Sequence, residues 1–227
     1  AQGLYDTDGD KHLQVPLDDD GALAFARLVE DTMIGWLRED CASIGIEFDV
    51  WFREQTLFEG DSVAREVAKL LEAGQAYEAD GAIWLKAQEF GDDEDRVLRR
   101  SNGAYTYIAS DLAYAASKFD RGFEHLIYVW GPDHAGYAPR LNAAIAALGR
   151  GTCEIIIYQH VRFLENGEPL GLSKRKGAIV SVRDLANEIG RDATRFFFLM
   201  RSVESHLDFD LDLARKQSQE NPVYYVQ

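Results

Sequence analysis

The chain is short of cysteine, of positive charge and of long apolar runs, and each shortage removes a class of protein. Cys41 and Cys153 are the only cysteines in 227 residues, so neither a disulfide framework nor a four-cysteine zinc site can be built. A reducing cytoplasm is the expected location. No apolar run approaches the ~20 residues needed to span a bilayer. The greasiest stretch, Arg195 to Met200, is short and opens on a charge, so no membrane partner is expected. The first residues, AQGLYDTDGDKHL, hold neither a basic nor an apolar segment of the export type. Lys and Arg number 24 against 39 Asp and Glu, a net charge of −15. That balance argues against a module that coats nucleic acid and leaves any RNA contact local. It is compatible with a cationic ligand or with plain solubilisation. Walker and GxGxxG sequences are both missing. The five histidines show no metal-ligand spacing and pair with no Ser or Cys nucleophile, and Asp6 to Leu17 has its glycine two positions early and Leu17 where a calcium loop needs Glu. No metal site is expected.

What is present is a globular recipe, with 46% hydrophobic and 11% aromatic residues. Three aspartates, Asp18 to Asp20, precede Ala22, Phe25, Ala26, Val29, Met33, Trp36 and Leu37, whose spacing predicts one long helix with an apolar stripe. Ile46, Phe48, Val50 and Phe52 alternate with polar neighbours and Trp51, which predicts a half-buried strand. Val63, Val67, Leu70 and Leu71 predict a second helix stopped at Gly74, and Asp80-Gly81 and Asn102-Gly103 predict tight turns in an antiparallel region over 76–108. His125 to Gly131, a helix over 135–149 and Cys153 to Gln159 then form a strand–helix–strand unit, hence a parallel pair with covered faces. Asn166-Gly167 is a further turn, and 181–219 reads as mostly helical. The fold class is α/β.

Three constellations carry chemistry. The loop WGPDHAGY places Asp133, His134 and Tyr137 at the carboxyl end of a parallel strand, where open α/β sheets bind ligands; Asp133 could equally cap the helix that follows. Tyr107 and Asp111, four apart on a helix that begins there, share a face and suit a guanidinium or ammonium ligand; alternatively Ser110 or Asp111 is the N-cap and Tyr107 is core. Ser173, Lys174, Arg175 and Lys176 lie between Gly171 and Gly177. Such a loop can close over a triphosphate and stabilise the departing pyrophosphate, or it is a solvated basic turn.

Together these segments resemble the arginyl-tRNA synthetases. The similarity lies in YIASDLAY (107–114), in YVWGPDHAGYAPRLNAAIAALG, in GLSKRKG as a variant of the class I KMSKS signature, and in LDFDLDLARKQSQENPVYYVQ, in the family's order. The resemblance implies the second half of a Rossmann-type class I synthetase catalytic domain with an inserted α+β region. It implies joining of arginine to ATP as arginyl-adenylate and transfer to tRNA(Arg), with ATP and Mg2+ arriving as a substrate complex and no tightly bound cofactor. By the same carry-over, Tyr107 and Asp111 hold the substrate guanidinium, His134 lies beside the amino acid and Glu54 meets it near its amino group. Ser173, Lys174 and Arg175 act in catalysis and grip the ATP phosphates, and Asp133 joins that ATP site.

The departures are specific. Gly171 and Leu172 stand in place of Lys and Met of the full signature, Ala135 replaces a second His, and no HIGH-type sequence surrounds any of the five histidines. The expectation is therefore an internal piece of a longer enzyme, inactive alone. Residues 1–106 are expected to form an insertion-like helical and antiparallel part, 107–180 the Rossmann half with the signature loop, and 181–227 helices leading to an anticodon-binding domain. The rival expectations are a non-catalytic binding module and a nucleotidyltransferase acting on another small cation.

Overall fold

The computed structural model describes residues 19–170 and 181–225. The calcium-like sequence at 6–17 and the basic loop 171–177 lie outside the described residues. The chain forms two compact units. One is built from 50–162 and 201–208, the other from the segments before 50, 163–200 and 209 onward.

The first unit contains α2 (Gln55–Glu59), α3 (Ser62–Glu72), β1 (Ala76–Ala79), β2 (Ala82–Leu85), β3 (Arg96–Arg99), α4 (Tyr107–Asp120), β4 (His125–Trp130), α5 (Ala138–Leu148) and β5 (Thr152–Ile157). The strands β1, β2 and β3 form the antiparallel sheet expected over 76–108. Its first turn places Asp80 and Gly81 both at positive φ, 52° and 73°, the twist that two-residue hairpins require and the reason Asp-Gly stands there. The Asn102-Gly103 turn leads back to a single antiparallel bridge between Arg99 and Tyr105.

β4 and β5 pair in parallel, in register from His125 opposite Thr152 to Trp130 opposite Ile157, with α5 as the crossover. Glycine is required at Gly151, because a Cβ there would come within 2.3 Å of the Glu124 carbonyl oxygen, the acceptor for Thr152 N–H at the first rung. The core beneath α4 and α5 holds Val67, Leu85, Leu98, Leu112 and Ala144, with Leu126, Leu141 and Ile145 beside it.

Two strand expectations fail. Ile46 to Phe52 form no strand; their alternation supplies a period but no neighbouring strand to accept their backbone groups. The faces of the parallel pair are not both covered either. Ile127 and Val129 point away from the helices and are more than half exposed, whereas Leu126 is buried.

The second unit contains α1 (Asp19–Ser43), β7 (Glu168–Pro169), α6 (Val182–Ile189), α7 (Arg191–Leu199) and α8 (Leu211–Arg215). Along β6 (Val161–Glu165) and β8 (Leu207–Asp210) the chain passes between units, and the strand order is β7-β6-β8. The helical reading of 181–219 thus missed β8. Asn166 and Gly167, both at positive φ, make the expected turn between β6 and β7. A capping box joins Ser181 and Asp184 at the start of α6, and Arg183 ties α6 to α1 through Asp40 at 2.7 Å and Glu39 at 3.1 Å. Phe197, Phe198 and Phe163 pack around the fully buried Phe209. Helix α1 forms where expected, but Phe25, Met33, Trp36 and Leu37 of its stripe stay about half exposed. Among the described residues no helix is long and apolar enough to cross a membrane.

Candidate functional site

Three pieces of the first unit meet around a cleft of about 520 Å³. The segment entering α2 supplies Phe52 and Glu54. The first two turns of α4 supply Tyr107, Ser110, Asp111 and Tyr114. The end of β4 and the short 3₁₀ turn Pro132–Tyr137 supply Trp130, His134 and Tyr137. Helical spacing accounts for the middle set: residues 107, 111 and 114 fall on one face, with 118 one turn beyond. The N-cap of α4 is Thr106, whose hydroxyl instead donates to the Val97 carbonyl at 2.6 Å. Ser110 and Asp111 are therefore inside the helix, and Tyr107 is 84% exposed. This removes the alternative in which Ser110 or Asp111 caps and Tyr107 is core.

Asp111 is the centre of the cleft's electrostatics. Tyr137 donates its hydroxyl hydrogen to Asp111 Oδ2 at 2.6 Å. Loss of water around Asp111 raises its pKa above the ordinary carboxylate value; the Tyr137 hydrogen bond opposes the rise, the nearby Glu54 charge adds to it, and Lys118 opposes it. Tyr137 is itself pushed strongly upward, first by burial and then by its bond to Asp111. No lysine or arginine among the described residues forms an ion pair with Asp111 or Glu54. Among the described residues the cleft thus holds two carboxylates without an ion-pair partner, Lys118 acting on Asp111 only through its charge.

An aromatic stack supports the far wall. Phe52 lies on Tyr114 at 4.4 Å between ring centroids. The Lys118 ammonium sits 3.9 Å from the Tyr114 ring and 4.0 Å from the Tyr128 ring. Burial, and the neighbouring Arg121 charge, bring the Lys118 pKa down to about 8. Trp130 approaches both His134 and Tyr137 at 5.9 Å.

Of the residues expected from sequence, Glu54, Tyr107, Asp111 and His134 line this one cleft. Asp133 does not line it; its exposed side chain lies 3.6 Å from the His134 ring. Ser173, Lys174 and Arg175 lie outside the described residues. Phe52, Tyr114 and Trp130 were missed as lining residues, and Tyr137 was singled out in its loop without its bond to Asp111. A local signal exists only for Tyr114, three residues along the helix from Asp111; Tyr137 is 26 residues away, beyond any periodicity. Among the described residues no three His, Cys, Asp or Glu side chains gather to hold a metal ion.

Residues 17–200 match the family described as tRNA synthetases class I (R), catalytic domain. The chain belongs to this family. The arginine–tRNA ligase of Syntrophotalea carbinolica is 48% identical over 229 residues, covering 100% of this chain and 41% of that one. That of Bacillus subtilis is 51% identical over 193 residues, covering 84% and 35%. Among solved structures, the arginyl-tRNA synthetase of Campylobacter jejuni is similar with a TM-score of 0.83 and 32% identity, over 99% of this chain and 49% of that one. The arginyl-tRNA synthetase of Thermus thermophilus, 15% identical over 97% of this chain and 48% of that one, shares the fold at a TM-score of 0.69. The chain spans about 40% of the length of the curated relatives it matches. Its mixed α/β architecture is that of the class I synthetase catalytic domain.

Proposed function

We propose that this chain is catalytic-domain sequence of an arginine–tRNA ligase and that the cleft takes the amino acid. The observation that carries the reading is the pair of carboxylates, Asp111 and Glu54, lining one cleft with no cation among the described residues in an ion pair with either. Arginine has two cations to offer. Asp111 and Tyr107 take the guanidinium, Glu54 meets the α-ammonium, and His134 lies beside the amino acid. ATP, delivered as its Mg2+ complex, is gripped through its phosphates by Ser173, Lys174 and Arg175, with Asp133 beside it. An α-carboxylate oxygen of arginine attacks the α-phosphorus of ATP. The P–O bond to pyrophosphate breaks, pyrophosphate leaves with the electron pair, and later a hydroxyl of the terminal ribose of tRNA(Arg) attacks the arginyl carbonyl carbon, the acyl–phosphate bond breaks and AMP leaves.

Such a reaction asks little acid–base work of side chains. It needs two substrates held in line and cations where negative charge accumulates. In the same reading, residues 1–106 are an inserted region, 107–180 the Rossmann half and 181–227 the lead into an anticodon-binding domain. The test is arginine-dependent exchange of pyrophosphate into ATP by a protein of the relatives' full length carrying this segment, with Lys174→Ala beside it. We expect exchange that requires arginine, slowed about 10²–10³-fold in the variant, as for loss of one preorganised charge-stabilising donor. Exchange that is indifferent to arginine, or supported equally by lysine, overturns the reading.

A further inference from the structure

We propose that Tyr137 is a positioning residue of the amino-acid cleft, its hydroxyl fixing the Asp111 carboxylate in one orientation for a guanidinium. The inference rests on reading the cleft as an arginine site. Three observations carry it: the bond itself, 2.6 Å from Tyr137 Oη to Asp111 Oδ2; the way the phenol is held; and the setting of Asp111.

The Tyr137 ring is confined. It packs against Trp130 at 5.9 Å and has the Arg140 guanidinium over it at 5.4 Å. It closes the 3₁₀ turn and is the N-cap of α5. A phenol so fixed has one proton to give, and it goes to one named oxygen. Asp111 keeps Oδ1 and its remaining lone pairs for a ligand. A carboxylate without that donor would choose among rotamers in a cleft where burial already works against its charge. A hydrogen bond donated to the charged form favours that form.

The surrounding charges define the sign of the effect. Toward Asp111, Glu54 disfavours ionisation and Lys118, on the same helix, favours it. Toward Tyr137, Arg140 and Arg96 favour the phenolate, against burial and Asp111, which keep the phenol protonated and able to donate. Behind Lys118 stand Tyr128 and Cys153. Removing the Tyr137 hydroxyl raises the Asp111 pKa further. Arginine binding requires the carboxylate, so its affinity must then fall at a higher pH as the solution is acidified.

The experiment is calorimetric titration with arginine from pH 5 to 8, using protein of the relatives' full length. The single variant His134→Gln and the double variant His134→Gln/Tyr137→Phe are compared as well as wild type and Tyr137→Phe, so that the effect of the Tyr137 hydroxyl is read with and without the imidazole that lines the same cleft. We expect arginine to bind about tenfold more weakly to Tyr137→Phe at pH 7, as for loss of a hydrogen bond to a charged group. The deficit should widen toward pH 5, and ATP affinity should be unchanged. No change in arginine affinity, or a deficit that is the same at every pH, overturns the proposal and leaves Tyr137 a packing residue. Asp111→Asn separates the two readings. If it binds arginine normally, the cleft is not the arginine site; if it loses arginine while Tyr137→Phe keeps the wild-type profile, only the positioning role falls.

Discussion

Asp92 and Asp111 are two partly buried aspartates of the same unit, and their partners differ in kind. Asp92 leaves 3% of its side chain exposed beside Arg96 at 12%, with Arg96 Nε donating to Oδ2 at 2.7 Å and Nη2 to Oδ1 at 2.8 Å. Asp93 and Glu94 add further pairs to the same guanidinium. The Arg96 hydrogen bonds hold the Asp92 carboxyl well below the usual range. Asp111 has a phenol for a partner instead of a guanidinium, and burial pushes its pKa the other way. A carboxylate satisfied within the chain stabilises a corner; one with no ion pair among the described residues fits the arginine-binding role proposed for it, and the fold bears the cost of burying it.

The largest expected effect that sharpens this contrast is on binding. Asp111→Asn should weaken arginine affinity by ~2–5 kcal/mol, because one member of a desolvated charge pair is removed, and should leave ATP affinity nearly unchanged. Competition binding with each substrate measures both. If the two affinities fall together, Asp111 is structural.

Next in size is the stability of the other corner. Arg96→Met strands Asp92 without its partner, and breaking such a pair should cost about 3 kcal/mol in denaturant unfolding. The pH dependence has a definite sign. Because Asp92 is held low in the folded protein, its contribution is present above the unfolded carboxylate pKa of about 4 and is lost as the pH falls below it. The wild-type and Arg96→Met stabilities should therefore converge in acid. A gap that stays open at low pH would mean that Arg96 acts by packing alone.

A smaller effect tests the same contrast from the opposite side. The Asp111 pKa is raised on folding, so its charge costs stability at neutral pH. Asp111→Asn should raise the melting temperature even as it weakens arginine binding. Lys118 offers the smallest effect. Its pKa is lowered to about 8, so burying its charge carries its full cost below that pH, and the cost shrinks as the pH rises from there toward the unfolded lysine pKa of about 10.4. Lys118→Met should gain on wild type as the pH drops from 10 to 6, followed by thermal unfolding at each pH. A relative loss over that range would show the aromatic cage outweighing the burial cost.

Helices were the most legible feature of the sequence. The spacings of Ala22 to Leu37 and Val63 to Leu71, and the run from Tyr107, placed α1, α3 and α4, because a 3.6-residue period is a property of the local chain. The turns at Asp80-Gly81 and Asn166-Gly167 were equally local, since left-handed backbone restricts which residues can stand there. Ile46 to Phe52 show the limit, as alternation without a partner strand yields no strand. The apolar run of β4 shows it too. A run of apolar residues states that a strand forms, but what covers Ile127 and Val129 is a matter of neighbours.

The candidate site divides along the same line. Tyr107, Asp111 and the WGPDHAGY loop could be singled out by chemistry and spacing, and the resemblance to arginyl-tRNA synthetases supplied their expected roles. Sequence alone determined the helix face that carries Tyr107, Asp111, Tyr114 and Lys118, because rotation per residue is set by backbone geometry. Only the tertiary structure decided that Glu54 and Tyr137 come to Asp111 from separate elements, that the Lys118 ammonium lies against Tyr128 of β4, and that among the described residues Asp111 has no ion pair while Asp92 has one. Burial and charge pairing depend on distances between elements far apart in the chain, and no local pattern of residues encodes them.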